Sequence, residues 1–500
     1  MIFLLSFFWY LRTARALLFA LYLWQLKEYH IGRFLAHFHT AKGKRLFFHP
    51  FVTAKLALFA LWFFEPEIAF FLLLLLYLGE TVLLFRATKT KTLLLPVLTR
   101  KTIVLVFSLL LVQSVVLAAV LLYFLNSLFL TFLLFDLLSL AIGSLVVLAW
   151  QPYTIFERSR ILKRATEKRK RLKNLKVVGI TGSYGKTSTK ELLAHILAKK
   201  FVVLKTPEHR NSEMGIAHTI LYDLTDEHQV FVCEMGAYNR GGIKLLASIA
   251  KPQIGIITGI NEQHMATFGS QENIIKTKFE LVEALPEDGT VILNEDSERV
   301  QNEKGNMKNY NTKLKKTIWT SSKQVDWKMG MPQHVKENVA LAAGAAKELG
   351  MTQQEITEAC KGLSLVQGIN KAKRGVNGIT VIDSSYSANP DGVIADLEYL
   401  KSFSGKKIIV IPSLIELGSA SWQVHVKIGR KIGEVCDLAI ITTTDEFSAL
   451  QKGAKEKGMK DDAIILLESK EKIVEKVKST TKAGDVVLLE GRGPAKAVDL

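Results

Sequence analysis

The chain reads as an all-α, membrane-spanning N-terminal region followed by two α/β domains. Three observations carry that reading. Residues 1–150 are dominated by Leu, Phe, Val and Ala. Residues 177–193, VVGITGSYGKTSTKELL, run from a β-branched stretch through a Gly-rich turn into a helical pattern. Beyond them, strand and helix signals alternate to the C-terminus, as in parallel sheets covered by helices. The 500 residues allow about three domains. The expected division is a membrane region over 1–156, a basic juxtamembrane linker over 157–176, a central domain over 177–365 and a last domain over 366–500.

About five spans are expected, near residues 2–24, 48–64, 68–85, 103–124 and 128–150, each close to the ~20 residues a crossing helix needs. The second is short and the first carries Arg12 and Arg15, so one of the two is a candidate interfacial helix. Basic residues follow the first span (Lys27, Arg33, Lys42, Lys44, Arg45), the third (Arg86, Lys89, Lys91, Arg100, Lys101) and the fifth (ERSRILKRATEKRKRLKNLK). The turns at 65–67 and 126–127 carry no Lys or Arg. The positive-inside rule then puts the N-terminus outside and the α/β domains on the cytoplasmic face of the cell membrane. No cleavable signal peptide is expected, because apolar residues precede any basic region and no small-residue cleavage site follows.

Besides Arg12 and Arg15, three charged residues fall inside spans: Lys55, Glu80 and Asp136. A hairpin turning at 65–67 brings Lys55 and Glu80 to similar depth, where they can pair. Asp136 has no obvious partner and is open to two readings, a cavity-lining group or a capped or protonated carboxylate. The basic run at 158–176 suits anionic headgroups. The net charge of +18 lies largely beside hydrophobic segments, so orientation in a bilayer explains it and nucleic-acid binding is not expected. Cys233, Cys360 and Cys436 are isolated, with no metal or disulfide spacing, which suits a reducing compartment.

In the second half, strands are expected at 230–233, 254–258 and 291–294, and helices at 188–199, 271–284 and 335–350. A second series of strands is expected at 379–383, 407–411, 438–442, 463–467 and 486–489. The turn after the first strand is a phosphate loop. Gly182 and Gly185 free backbone N–H groups to face phosphate oxygens, Lys186 reaches the β/γ-phosphates, and the Thr187 hydroxyl suits Mg²⁺. Ser183, Tyr184 and Ser188 complete the loop. Ile180 stands where a strict GxxxxGK pattern needs Gly. Glu234, closing an apolar strand, is a candidate Mg²⁺ ligand beside the phosphates.

The narrower wording GITGSYGKTS resembles the Mur ligase family, the ATP-dependent amide ligases that build the peptidoglycan peptide. Further motifs agree in family order: TPEHRNSEMG (206–215), with Asn211 and Ser212 on the substrate side, and VFVCEMGAYNRGGI (230–243), with Glu234. GIITGINEQHMATFGSQENIIKTKFEL (255–281) follows, in which His264 matches a second Mg²⁺ ligand. Lys278 matches the family's carbamylated lysine, which as an anion binds a second Mg²⁺; Lys276 is its neighbouring competitor. Asn294 in VILNEDS matches the adenine-contacting Asn. Asn338 in HVKENVALAA matches a nucleotide-seating Asn, and His334, four residues earlier, either shares that role or serves the helix N-terminus.

GITVIDSSYSANP (378–390) is similar to G-x-T-V-I-D-D-S-Y-N-A-N-P, placing Asp383 at ATP and Tyr386 and Asn389 at the substrate. That wording is most like the branch adding D-alanyl-D-alanine to a UDP-muramoyl tripeptide. IPSLIELG with His425, and the closing VVLLEGRGPAKAVDL, resemble L-G-D-M-x-E-L-G…H and V-L-V-K-G-S-R. The resemblance covers residues 174–500. It implies a P-loop-type central domain, a Rossmann-like last domain, ATP and two Mg²⁺ ions, and an acyl-phosphate intermediate. Lys186, His264 and Lys278 are its implied catalytic residues.

The chain departs from the pattern at Ser384 and Ser387, at Ile369 (the usual Arg, with Arg374 the nearest substitute), and at Pro412–Ser413–Leu414. Membrane spans stand where the family has a UDP-gripping domain. Two alternatives therefore accompany the UDP-linked reading: a ligase acting on a lipid-linked peptide at the bilayer, and a degenerate ATP-binding membrane scaffold.

Overall fold

A computed structural model describes the chain except residues 28, 39, 209, 312, 325–332, 362–371, 385–388 and 492–500. It divides into two compact units, Met1–Glu157 and Arg158–Leu500.

The first unit is helical: α1 (Ile2–Leu26), α2 (Ile31–His37), α3 (Ala41–Phe47), α4 (Pro50–Leu61), α5 (Pro66–Lys89), α6 (Arg100–Tyr123), α7 (Leu128–Leu137) and α8 (Ser139–Ala149). Among the described residues α1, α5 and α6 are long and apolar enough to cross a membrane. The expected second span is the twelve-residue α4, opened by Pro50, too short to cross alone. The expected fifth is a broken pair, α7 and α8, bent by 67° and counting as a fourth span only if taken together. Their outer surfaces stay apolar, with Phe71, Phe107, Leu111 and Leu145 exposed. Packing centres on α1. Trp9 stacks on Phe132 with centroids 4.2 Å apart and donates Nε1–H to its carbonyl at 2.9 Å. Gly143 of α8 lets the backbone approach α1, since a Cβ there would lie 2.8 Å from that of Ala20.

Lys55 and Glu80 pair as expected, with Nζ to Oε2 at 2.7 Å. Asp136 also has partners, which corrects its reading as unpaired. Its Oδ2 lies 2.6 Å from Lys55 Nζ and its Oδ1 3.5 Å from Arg12. Arg12 closes the ring on Glu80 at 2.7 Å. Sequence distance hid this arrangement, because the four charges come from α1, α4, α5 and α7. Two cations and two carboxylates cancel, which is how such groups are tolerated out of water.

The second unit begins inside α9 (Gln151–Arg171). Residues 157–171 of the expected basic linker are therefore helical, and their inner face belongs to a core: Ile161, Leu162 and Ala165 pack with Ile216, Phe231 and Leu246. Two of its cations turn inward rather than to headgroups. Arg169 donates to the carbonyls of Ala250, Leu172 and Leu175, and Lys168 to those of Leu221 and Leu224. Arg160, Lys163, Arg164, Lys170 and Arg171 remain exposed.

Two six-stranded sheets follow. The first, in the order β2-β3-β1-β4-β5-β6, is wholly parallel: β1 (Lys176–Thr181), β2 (Val203–Lys205), β3 (Val230–Glu234), β4 (Ile254–Ile257), β5 (Thr290–Asn294) and β6 (Lys316–Thr320). It carries α10 (Lys186–Leu197), α11 (Glu213–His218), α12 (Gly242–Ala250), α13 (Met265–Phe268), α14 (Gln271–Glu283), α15 (Glu298–Gln301), α16 (Met307–Tyr310), α17 (Gln333–Glu348) and α18 (Gln353–Cys360). Strands buried on both faces, such as β3 with all five residues buried, explain their unbroken apolar runs.

The second sheet runs β11-β10-β9-β12-β8-β7 and is parallel except for β7 against β8. Its strands are β7 (Ala372–Arg374), β8 (Thr380–Ser384), β9 (Lys407–Ile411), β10 (Leu438–Ile441), β11 (Ile464–Leu466) and β12 (Val486–Glu490). Its helices are α19 (Pro390–Lys401), α20 (Ser421–Val435), α21 (Phe447–Lys455) and α22 (Lys470–Thr480). The expected boundary at 365–366, Ile369 and Tyr386 lie outside the described residues.

Candidate active site

In the first sheet β1 lies between β3 and β4, and the chain reverses its winding there. Ligands of open parallel sheets bind at this switch point, outside the carboxyl ends of the strands. The residues at those ends are the turn 182–185, Glu234 closing β3, Thr258 after β4 and Asn294 closing β5.

The turn is fixed by its glycines. Gly182 has φ +154° and Gly185 φ +77°, and a Cβ on Gly182 would lie 2.1 Å from Thr258 Oγ1. Ser183 N–H donates to Gly259 O at 2.6 Å, and the Thr258 hydroxyl donates to the Tyr184 carbonyl. Tyr184 packs over Gly259, where a Cβ would meet its ring at 2.2 Å; burial pushes its phenol well up. Lys186 opens α10, and its ammonium donates to Gly182 O at 2.8 Å and Ser183 O at 3.0 Å. The N-terminus of α10 and the Gly-rich turn before it make an anion cradle. Ser188 sits in the first turn of α10.

Thr187 Oγ1 donates to both oxygens of Glu234, 3.1 Å from each. Asn211 Nδ2 donates to Glu234 Oε1 at 3.1 Å, so this residue from the expected substrate loop reaches the carboxylate. Ser212 instead caps α11. A hard cation takes oxygen donors, and Thr187 with Glu234 beside the phosphate cradle fits Mg²⁺. Among the described residues no group of three His, Cys, Asp or Glu forms a ready-made cage. That composition suits Mg²⁺, which keeps waters and phosphate oxygens as ligands.

Lys278 is buried on α14 with its ammonium 5.7 Å from the centre of the Phe268 ring. Burial, and then the field of Lys186, push it down to about 7. A neutral amine is thus accessible at ordinary pH. Lys276 forms an exposed pair with Glu272, which removes it as a competitor for the buried position. His264, in the left-handed region at φ +64°, turns Nδ1 onto Glu416 Oε2 of the second sheet's domain. Burial lowers its basicity, and Glu416 opposes that effect.

Asn294 is buried, its amide donating to Thr258 O at 2.7 Å and Glu337 Oε2 at 3.1 Å. Asn338 of α17 accepts from Thr189 of α10 at 3.1 Å, and its Oδ1 lies 2.5 Å from where a Cβ on Gly185 would be. Both therefore border the loop. In the last domain Asp383 ends near β7, 3.4 Å from Lys373. Asn389 caps α19 and accepts from Asn261 of the central domain at 3.0 Å.

Four residues escaped the sequence reading. Lys190, four residues after Lys186, reads as a surface lysine but is buried 3.4 Å from Glu234. Glu416 was within reach, being the Glu of IPSLIELG. Asp396 lies in no quoted motif. Glu490 stands where the closing wording has Lys; it is buried, in register with Ser384.

The fold and site define a two-domain α/β protein built to hold a nucleotide triphosphate with a hard cation. Residues 180–346 match the Mur ligase middle domain and residues 370–493 the Mur ligase, glutamate ligase domain. The chain belongs to the Mur ligase family. It is 31% identical over 314 residues to a UDP-N-acetylmuramoyl-tripeptide--D-alanyl-D-alanine ligase of Mycobacterium bovis, covering 56% of this chain and 61% of that protein. The Bacillus subtilis protein of the same name is 28% identical over 63% of this chain and 72% of its own. The chain thus spans about three fifths of the mycobacterial relative's length. Among solved structures, MurF of Thermotoga maritima in complex with ADP superposes with a TM-score of 0.56 at 25% identity, covering 68% of this chain and 82% of that one. MurF of Acinetobacter baumannii gives 0.59 at 22% identity over 68% and 78%, a likeness of fold.

Proposed function

We propose that this chain is an ATP-dependent amide ligase that joins D-alanyl-D-alanine to a UDP-muramoyl tripeptide. The observation that carries the reading is the pairing of the phosphate cradle with Glu234 and Thr187 in a chain matching both Mur ligase domains. The names of the mycobacterial and Bacillus relatives supply the substrate pair.

In this reading the tripeptide carboxylate attacks the γ-phosphorus, and ADP leaves with the electrons of the broken P–O bond. The dipeptide amine then attacks the acyl carbon and phosphate departs, leaving an amide. Lys186 and the α10 N-terminus hold phosphate oxygens in line. Asn294 and Asn338 seat the nucleotide. Thr187 and Glu234 would hold Mg²⁺, which would neutralise charge on the phosphates. Lys278 as a neutral amine takes up CO₂, forming an N–C bond and releasing a proton. The resulting carbamate, with His264, would hold a second cation. His264 is held by Glu416 of the last domain, so its release to that site would couple the site to movement of the last domain.

The apolar N-terminal unit anchors the enzyme in the cell membrane, with its α/β domains on the cytoplasmic side. The exposed cations of α9 face the headgroups. The test uses full-length protein in detergent with ATP, Mg²⁺, the UDP-linked tripeptide and D-alanyl-D-alanine. ADP and ligated product in equal amounts support the proposal. Turnover only with a lipid-linked peptide, or ATP binding without turnover, would sink it.

A further inference from the structure

Ser384 closes β8 at the place of the second Asp in the D-D-S-Y wording. It is buried, and its hydroxyl donates to Asp396 Oδ2 on α19 at 2.5 Å. Asp396 is buried too, and its other oxygen lies 3.9 Å from His334 Nε2 on α17 of the central domain. One turn along α17, Asn338 meets Thr189 of α10 and crowds Gly185. A single carboxylate is therefore connected to the phosphate turn through His334, α17 and Asn338. Ser384 has a hydroxyl where the wording has an acid, and the acid is supplied from twelve residues further along, on the adjoining helix.

We propose that Asp396 is a positioning residue of the nucleotide site. It supplies the carboxylate that position 384 lacks and sets α17 against the phosphate turn through His334. The charge matters, because a neutral amide accepts from Ser384 equally well but attracts the His334 imidazole less strongly than a carboxylate does. Asp396 bonds to Ser384 and approaches His334, so its effect is expected on nucleotide affinity.

The inference rests on the ligase reading only for its nucleotide, so the measurement is Mg·ADP affinity of the full-length protein, read by calorimetry without acceptor. Asp396→Asn is expected to weaken binding about tenfold or more, the scale of losing one partly buried charge contact, with an unchanged melting temperature of the unliganded protein. Asp396→Ala is expected to do the same, and Ser384→Asp added to it to recover affinity to within about threefold. Unchanged affinity in Asp396→Asn would overturn the inference. So would a folded double variant without recovery. If wild type binds Mg·ADP yet ligates nothing, the ligase reading fails while this affinity series still decides the inference.

Discussion

The Thr187 hydroxyl bonds to both oxygens of Glu234, 3.1 Å from each, joining the first turn of α10 to the end of β3. That contact sets the edge of the phosphate turn where the proposed Mg²⁺ site lies. Glu234→Gln keeps the shape and the hydrogen bond but removes the charge. We expect ATP turnover to fall about 100-fold or more, the scale of losing one preorganised electrostatic group. The Mg²⁺ concentration for half-maximal ADP formation should rise. An unchanged Mg²⁺ dependence would remove Glu234 from the metal site.

Gly185 has φ +77°, and a Cβ there would press on Asn338 Oδ1 at 2.5 Å. Gly185→Ala is therefore strained twice. A cost of about 1–2 kcal/mol from backbone conformation alone should appear in denaturant unfolding, with weaker nucleotide binding. Asn338→Ala relieves the contact but not the backbone, so it should rescue only part of the loss.

Lys278 is held down to about 7 by burial and by Lys186. Its folded value lies below that of an ordinary lysine, so its stabilising contribution is complete above the unfolded value and is lost as pH falls towards 7. CO₂ adds only to the neutral amine. Activity should rise as pH passes upward through about 7, and it should drop in CO₂-stripped buffer and return with bicarbonate. Lys278→Arg should abolish the bicarbonate response. Equal rates with and without CO₂ would exclude the carbamate.

Lys55 bridges Glu80 and Asp136 inside the N-terminal unit. Lys55→Met leaves two carboxylates with Arg12 alone, and should destabilise that unit by about 3–5 kcal/mol, the cost of breaking a buried pair. Adding Asp136→Leu restores charge balance and should recover most of it. Thermal unfolding in detergent reads both.

The sequence showed most clearly what local pattern encodes. The phosphate turn, β9 and the ends of α14 follow from Gly placement and apolar runs, and they stand close to where they were read. Three edge strands, β2, β6 and β7, were not read. They are short or half-exposed, so neither a long apolar run nor alternation marks them. Charge clusters formed across elements were also hidden. Asp136 and Arg12 meet over 124 positions, and His264 meets Glu416 over 152. Lys190 shows the same limit on one helix, since spacing cannot tell a surface lysine from one buried against a carboxylate. Ser212, read on the substrate side, caps α11, a role its motif did not announce.

The acyl phosphate is the centre of the proposed mechanism, and isotope transfer tests it most directly. The tripeptide acceptor is prepared with oxygen-18 in its free carboxylate and turned over with ATP, Mg²⁺ and D-alanyl-D-alanine by the full-length protein. The account predicts one labelled oxygen in each inorganic phosphate released, matched to one amide formed and one ADP. Unlabelled phosphate alongside amide formation would contradict it.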